Sequence, residues 1–290
     1  RRTLRQTLRG TDSEPVIPFA QPNSTTRVFA VASGKGGVGK SSMTVNLATA
    51  LAARGLNVGI LDADIYGHSI PHMLGSDARP HQVDDMIMPP IAHGVKIISI
   101  GHFVEGNTPV IWRGPMLHRA IQQFLSEVFW SDLDILLLDL PPGTGDIALS
   151  VAQLVPSAEL LIVTTPQAAA AEVAERAGAM SQQTRQKVAG VIENMSAMVM
   201  PDGSVVDVFG SGGGQMVADR LSTLTGTKVE LLGSVPLDPA LRIGADDGNP
   251  IAITAPDSHT GAALNAIADK LAMRRESLAG RPLGLGVVPH

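Results

Sequence analysis

The chain has 290 residues, 44% of them hydrophobic and 17% charged, with a formal net charge of -5 and a pI near 5.9. That balance suits one large α/β domain or two small ones and excludes a disordered chain, while the negative charge argues against an extended nucleic-acid surface, which needs a basic face. There is no cysteine, so disulfides, thiolate nucleophiles and cysteine-ligated clusters cannot be built from these residues.

No apolar run approaches the roughly 18 residues needed to cross a bilayer, and no signal peptide is visible. Arg1 to Gly10 carries four arginines, with Leu4 and Leu8 at helical spacing. Thr11 to Thr26 is polar and contains Pro15, Pro18 and Pro22, the composition of a linker. Residues 1–26 are therefore expected to be the end of an upstream domain and its linker, residues 27–276 the folded unit, and residues 277–290 a flexible tail.

The run Arg27 to Ala32 predicts a strand and Met43 to Ala53 a helix. Between them lies GKGGVGKSS, Gly34 to Ser42. A strand, a glycine-rich GxxxxGK followed by Ser, and a helix is the context of a phosphate-binding loop. Gly34, Gly36, Gly37 and Gly39, with Val38 between them, are expected to free the backbone so that amide N–H groups turn toward a phosphate. Lys40 would place a charge at the β and γ phosphates, Ser41 would ligate magnesium, and Ser42 completes the loop. Lys35 follows the first glycine, and the loop aims it away from its own nucleotide.

Leu56 to Leu61 predicts a second buried strand ending at Asp62, followed by DADIYGHS. Carboxylates at the C-terminal ends of parallel strands face the crevice where such sheets bind ligands. Asp64 is the candidate for orienting an attacking water and Asp62 for the magnesium shell; a helix-capping turn carboxylate is the competing reading of Asp64. Arg79 to His93 reads as an irregular excursion and Val95 to Ile100 as a strand. In WRGP, Pro115 suits the first turn of a helix running through Val128, and Arg113 could contact nucleotide, a partner chain or cargo.

Asp134 to Leu138 is the most apolar strand, and Asp139 after it has the position of a carboxylate holding magnesium through water beside Ser41. Pro141, Pro142 and Gly143 form a candidate switch that moves when the γ phosphate leaves. Asp146 is expected to cap the next helix. Further strands are predicted at Glu159 to Thr164, Lys187 to Ile192 and Val229 to Val235. Met198 to Gly203 predicts a hairpin, with its return strand at Val205 to Phe209. GSGGGQ predicts a flexible helix entry, and Gly261 to Arg275 a terminal helix.

Lys35 within KGGVGKS resembles the deviant phosphate loop of the MinD and ParA superfamily, which implies that Lys35 reaches across a dimer to the partner's ATP. GKGGVGKS, DADIYGHS, WRGPM, DLPPGTGD, VTTPQ, ENMS, FGSGGGQ and PLD together resemble the Mrp (ApbC) family of P-loop ATPases, iron–sulfur cluster carriers, from about Arg27 to Ile251. The resemblance implies an α/β P-loop NTPase fold, a mostly parallel twisted sheet with helices on both faces. It also implies a homodimer sandwiching two ATP molecules with Mg2+, Asn194 reading the adenine, and Pro236 to Asp238 lying beside the base.

The expectation is a cytoplasmic, magnesium-dependent ATPase acting with iron–sulfur client or assembly proteins, without a membrane or nucleic-acid partner. The rival is an ATP-switched scaffold or partitioning ATPase of MinD/ParA type. One departure bears on the cargo. Most family members carry a CxxC pair in the hairpin after ENMS, where this chain has Met200 and Gly203. Neutral thioethers such as Met195, Met198 and Met200 are weak ligands for ferric iron, and they are expected to be buried hairpin residues.

Overall fold

In the structure, a computed structural model, residues 15–64, 67, 69–103, 114–143, 145–167 and 170–273 are described. The basic segment 1–10, Arg113 and the tail 277–290 lie outside the described residues.

Eight strands form the main sheet. From edge to edge they are β12 (Leu231–Pro236), β9 (Val188–Ser196), β8 (Glu159–Thr164), β1 (Arg27–Ser33), β7 (Ile135–Asp139), β2 (Val58–Asp62), β6 (Val95–Ser99) and β5 (Ile91–Ala92). Every pairing is parallel except the edge pairing of β5 with β6. Parallel strands buried on both faces read as continuous apolar runs, which is what VFAVA in β1 and ILLL in β7 are.

Alternation along β1 divides the core in two. Phe29 and Val31 pack with Met43, Leu47 and Leu51 of α1 (Lys40–Ala52), with Ile70 of α2 (Ile70–Met73) and with Leu264 and Ile267 of α9 (His259–Ala272). Val28, Ala30 and Ala32 pack on the other face with Phe124 of α3 (Gly114–Glu127), Val151 of α4 (Asp146–Leu154), Val173 of α5 (Ala170–Thr184) and Val217 of α6 (Gly213–Thr225). Each fully buried Leu, Ile, Val or Phe contributes roughly 1.5–3 kcal/mol. The two layers hold the sheet rigid beneath the loops at its C-terminal edge. The chain leaves β1 toward β2 on one side, and β8, β9 and β12 are added on the other. The crevice after β1 is therefore the topological switch point where such sheets bind ligands.

Several expectations change. Residues 79–93 are ordered into a hairpin of β3 (His81–Val83) and β4 (Met86–Met88), with Asp84 in the left-handed region at φ 51°, followed by β5. A polar turn aspartate tolerates that conformation, so the excursion was polar enough to read as irregular. The strand expected to stop at Ile192 continues to Ser196, because β12 pairs with it as far as Ser196. Gly145, not Asp146, occupies the cap position of α4, and the helix begins at Asp146. The last helix starts earlier than expected, capped by the Ser258 side chain accepting from the Gly261 amide. The pair β10 (Met198–Val199) and β11 (Val205–Val206) forms the expected hairpin. Its methionines are not core, however: Met200 is 39% exposed, and Met195 and Met198 are half-buried.

Candidate functional site

The last residues of six neighbouring strands or strand segments form a polar row along the C-terminal edge of the sheet: Ser33, Asp62, Ser99, Asp139, Thr164 and Glu193, all buried. Asp62 and Asp139 are register partners in β2 and β7. Two buried carboxylates side by side repel, and the protein surrounds each with donors.

Asp139 accepts hydrogen bonds from Ser41 Oγ at 2.6 Å and Thr44 Oγ1 at 2.9 Å, and Lys40 Nζ stands 2.8 Å from its Oδ2. Asp62 accepts from Ser99 Oγ at 2.9 Å and from the Asp64 amide at 3.1 Å. Burial and the Asp139 carboxylate push Asp62 up to about 8, against the smaller opposing pull of these donors and Lys40.

Lys40 opens α1 at its N-terminus and is only 6% exposed. Its ammonium lies 3.9 Å from Asp64 Oδ2 as well as beside Asp139. The Asp139 contact is a close, buried ion pair. Lys40 lines a cavity of about 260 Å³ together with Gly36 to Ser42, Asp64, Gly67 and Pro142.

The loop glycines divide by physical need. Gly37 and Gly39 take φ values of 76° and 80°, whereas Gly34 and Gly36 do not lie in the left-handed region. This corrects the expectation that all four glycines serve backbone freedom. Gly34 is required by proximity, since a Cβ there would come within 3.0 Å of Val173 Cα.

Gly39 meets both constraints, because a Cβ there would lie 2.2 Å from Asn194 Nδ2. Asn194 is 1% exposed and donates from Nδ2 to the Val38 carbonyl at 2.9 Å, while its Oδ1 has no hydrogen-bond partner among the described residues. The asparagine therefore sits under the phosphate loop. Pro236 and Asp238 line a different cavity, of about 320 Å³, with Met198 to Pro201 and Ser258 to Thr260. Asn194 lines neither cavity. Asp238 caps α7 (Pro239–Asp246) through the Ala240 amide and accepts from Thr260 Oγ1 at 2.7 Å.

Asp64 is held by the Gly67 amide, which donates to Oδ1 at 3.1 Å, and its Oδ2 lies 3.9 Å from Lys40 Nζ. Pro142 borders that cavity, and the Gly143 amide donates to the Ser33 carbonyl at 3.2 Å. The loop 141–143 thus touches both the phosphate cavity and the end of β1. Lys35 donates from Nζ to Gln167 Oε1 at 2.6 Å, away from the cavity. Four contributors were not singled out from sequence: Thr44, Ser99, Gln167 and Arg176, the last donating to the Gly34 carbonyl at 2.7 Å. Thr44 and Ser99 carried a readable signal. Thr44 lies one helical turn after Lys40, and Ser99 ends an apolar strand as Asp62 does.

Comparison with known proteins gives one consistent result. Residues 24–272 match the family model described as ParA, NUBPL iron-transfer P-loop NTPase. A Mycobacterium leprae protein named iron-sulfur cluster carrier protein is 68% identical over 98% of this chain and 74% of its own length. One of the same name from Escherichia coli is 44% identical over 92% of this chain and 70% of its own length. Among solved structures, a nucleotide-binding protein from Archaeoglobus fulgidus in complex with ADP superposes with a TM-score of 0.65 at 37% identity, covering 77% of this chain and 86% of that one. The septum site-determining protein MinD from Pyrococcus horikoshii, complexed with Mg-ADP, shares the fold at a TM-score of 0.61 and 22% identity, covering 88% of this chain and 98% of that one.

Proposed function

The chain belongs to the ParA family of NUBPL iron-transfer P-loop NTPases, and on that footing we propose that it is a magnesium-dependent ATPase, active as a homodimer, that serves iron–sulfur protein assembly. The observation that carries this reading is the buried Lys40 ammonium, paired with Asp139 at 2.8 Å and lining a cavity walled by residues Gly36 to Ser42. A triphosphate would give this ammonium and the loop amides anionic oxygens to bind.

The side chains also fit a hard divalent cation. Ser41, Asp139 and, behind it, Asp62 offer oxygen only, the donor set magnesium prefers. The ion would neutralise charge on the phosphates. Asp64 holds the attacking water; the water oxygen bonds to the γ phosphorus as the bond to the β–γ bridging oxygen breaks, and ADP leaves. Residues 141–143 respond to loss of the γ phosphate, and Pro236 and Asp238 flank the base. Asn194 supports the loop in the nucleotide-free chain, and its unpartnered Oδ1 is the acceptor available to an adenine amine if the loop shifts. Residues 27–276 form the ATPase unit, and its action is cytoplasmic.

The cargo reading comes from the relatives' name and is limited by this chain's chemistry. It has no cysteine, and among the described residues no group of three or more His, Cys, Asp or Glu could hold a metal. A thiolate-ligated cluster does not fit the residues present, so any cluster handled is ligated by groups outside residues 1–290.

Lys35 from a second copy stabilises the transferred charge. Cations supplied in trans contribute on the order of a thousandfold to turnover in related chemistry. Lys35→Ala is expected to retain ATP affinity and lose about that factor in phosphate release; turnover equal to the parent would refute the cross-chain role.

A further inference from the structure

Lys35 sits at a point where the backbone is clamped and only the side chain can be redirected. Its carbonyl accepts from Ser33 Oγ at 2.9 Å. The preceding carbonyl, of Gly34, accepts from Arg176 Nη1 at 2.7 Å, and Val173 leaves no room beside the Gly34 Cα. Arg176 is itself tied to Glu172. Movement of the Lys35 ammonium is therefore a rotation of its own four-carbon stem.

The partner at the end of that stem is the carbonyl of Gln167, 2.6 Å from Nζ. Gln167 follows β8 and immediately precedes the approach to α5, the helix that supplies Val173 and Arg176. Among the described residues no carboxylate forms an ion pair with Lys35. The type of acceptor matters. A hydrogen bond from an ammonium to a neutral amide orients the lysine, yet a polyphosphate bearing several charges outcompetes it; a carboxylate in the same place would hold the lysine far more firmly.

We infer that Gln167 is the positioning residue for Lys35: it holds the ammonium within its own chain and releases it when a nucleotide on a second copy offers a stronger acceptor. The inference rests on the cross-chain role proposed for Lys35 and adds a competition to it. Every dimer that forms around ATP must exchange two Lys35–Gln167 contacts, so Gln167 sets the protein concentration at which turnover begins.

The test uses the full chain with magnesium and ATP, measuring phosphate release per protomer as a function of protein concentration, with sedimentation in the presence of a slowly hydrolysed ATP analogue. Losing a charge-assisted hydrogen bond worth about tenfold on each of the two protomers is expected to lower the half-maximal concentration about a hundredfold in Gln167→Ala. Gln167→Glu is expected to raise it by a similar factor. Opposite shifts distinguish a competing contact from a structural one, since damage to the loop would move both variants the same way. On a Lys35→Ala background, Gln167→Ala is expected to leave dimerisation unmoved. Shifts of the same sign, or an undiminished effect without Lys35, would overturn the inference. A Lys35→Ala variant with parental turnover would instead remove the cross-chain role beneath it.

Discussion

Replacing Gly39 by alanine tests how the phosphate loop is held. The new methyl would stand 2.2 Å from Asn194 Nδ2, at a residue whose φ is 80°. Alanine in the left-handed region costs about 1 kcal/mol. Relief of the clash requires Asn194 to withdraw, which breaks its 2.9 Å bond to the Val38 carbonyl and leaves buried polar atoms unpaired, about 2 kcal/mol more. The sum, about 3 kcal/mol, corresponds to a fall in Tm of about 6–12 °C for a domain of this size.

The assay is thermal and urea unfolding of the nucleotide-free protein for the parent, Gly39→Ala, Asn194→Ala and the double variant. Once Asn194 is truncated the clash is gone, so Gly39→Ala on that background is expected to cost only the backbone part, about 1 kcal/mol. The cycle should return a coupling of about 2 kcal/mol. An equal cost of Gly39→Ala on both backgrounds would refute the packing argument and place Asn194 away from the loop.

Lys40→Ala removes the cation beside the fully buried Asp139, so it is expected to lose ATP affinity by at least about a hundredfold. It should also destabilise the fold by roughly 3 kcal/mol; a fluorescent ATP analogue and unfolding curves read the two effects separately. Asp62, raised to about 8 in the folded chain against 3.8 for the ordinary carboxyl, keeps a proton that the unfolded chain releases. Nucleotide- and magnesium-free stability is therefore greatest below about pH 4 as far as this group is concerned, and it falls as pH rises toward 8. Asp62→Asn is expected to flatten that decline, and parallel stability–pH curves for parent and variant would contradict the assignment.

Sequence carried the phosphate loop and the carboxylates because both are written locally. GKGGVGKSS needs no tertiary context to be read, and Asp62 and Asp139 each terminate an apolar run whose end must face the crevice. The resemblance further supplied the role expected of Lys35; the family match and the fold bear out the resemblance itself. What escaped was decided by register and approach between distant segments. Nothing around Asn194 in sequence states that it lies against Gly39, 155 positions earlier, and Gln167 becomes a partner of Lys35 only because β8 lies beside β1. The hairpin methionines were expected to be buried, yet among the described residues β10 and β11 form a two-stranded sheet apart from the main one and Met200 stays exposed. The helices α7 and α8 (Ile251–Thr254) were missed because segments of 8 and 4 residues span too few turns for a helical period to be read.

The end of β9 gives the molecule an uneven rhythm of opening. Through Glu193 this strand is paired on both sides, to Thr164 of β8 and Ser234 of β12. Beyond it only β12 remains, and Met195 is turned into the left-handed region at φ 57°. Amides before Glu193 can exchange with solvent only when the sheet comes apart, whereas those from Met195 into the hairpin are free to exchange through brief local excursions. Asn194 stands at the border and is bonded to the phosphate loop. A nucleotide that stiffens the loop therefore extends slow exchange past the border and into β10, so deuterium uptake along the amides from Met195 to Val199 becomes a clock for occupancy of the phosphate loop.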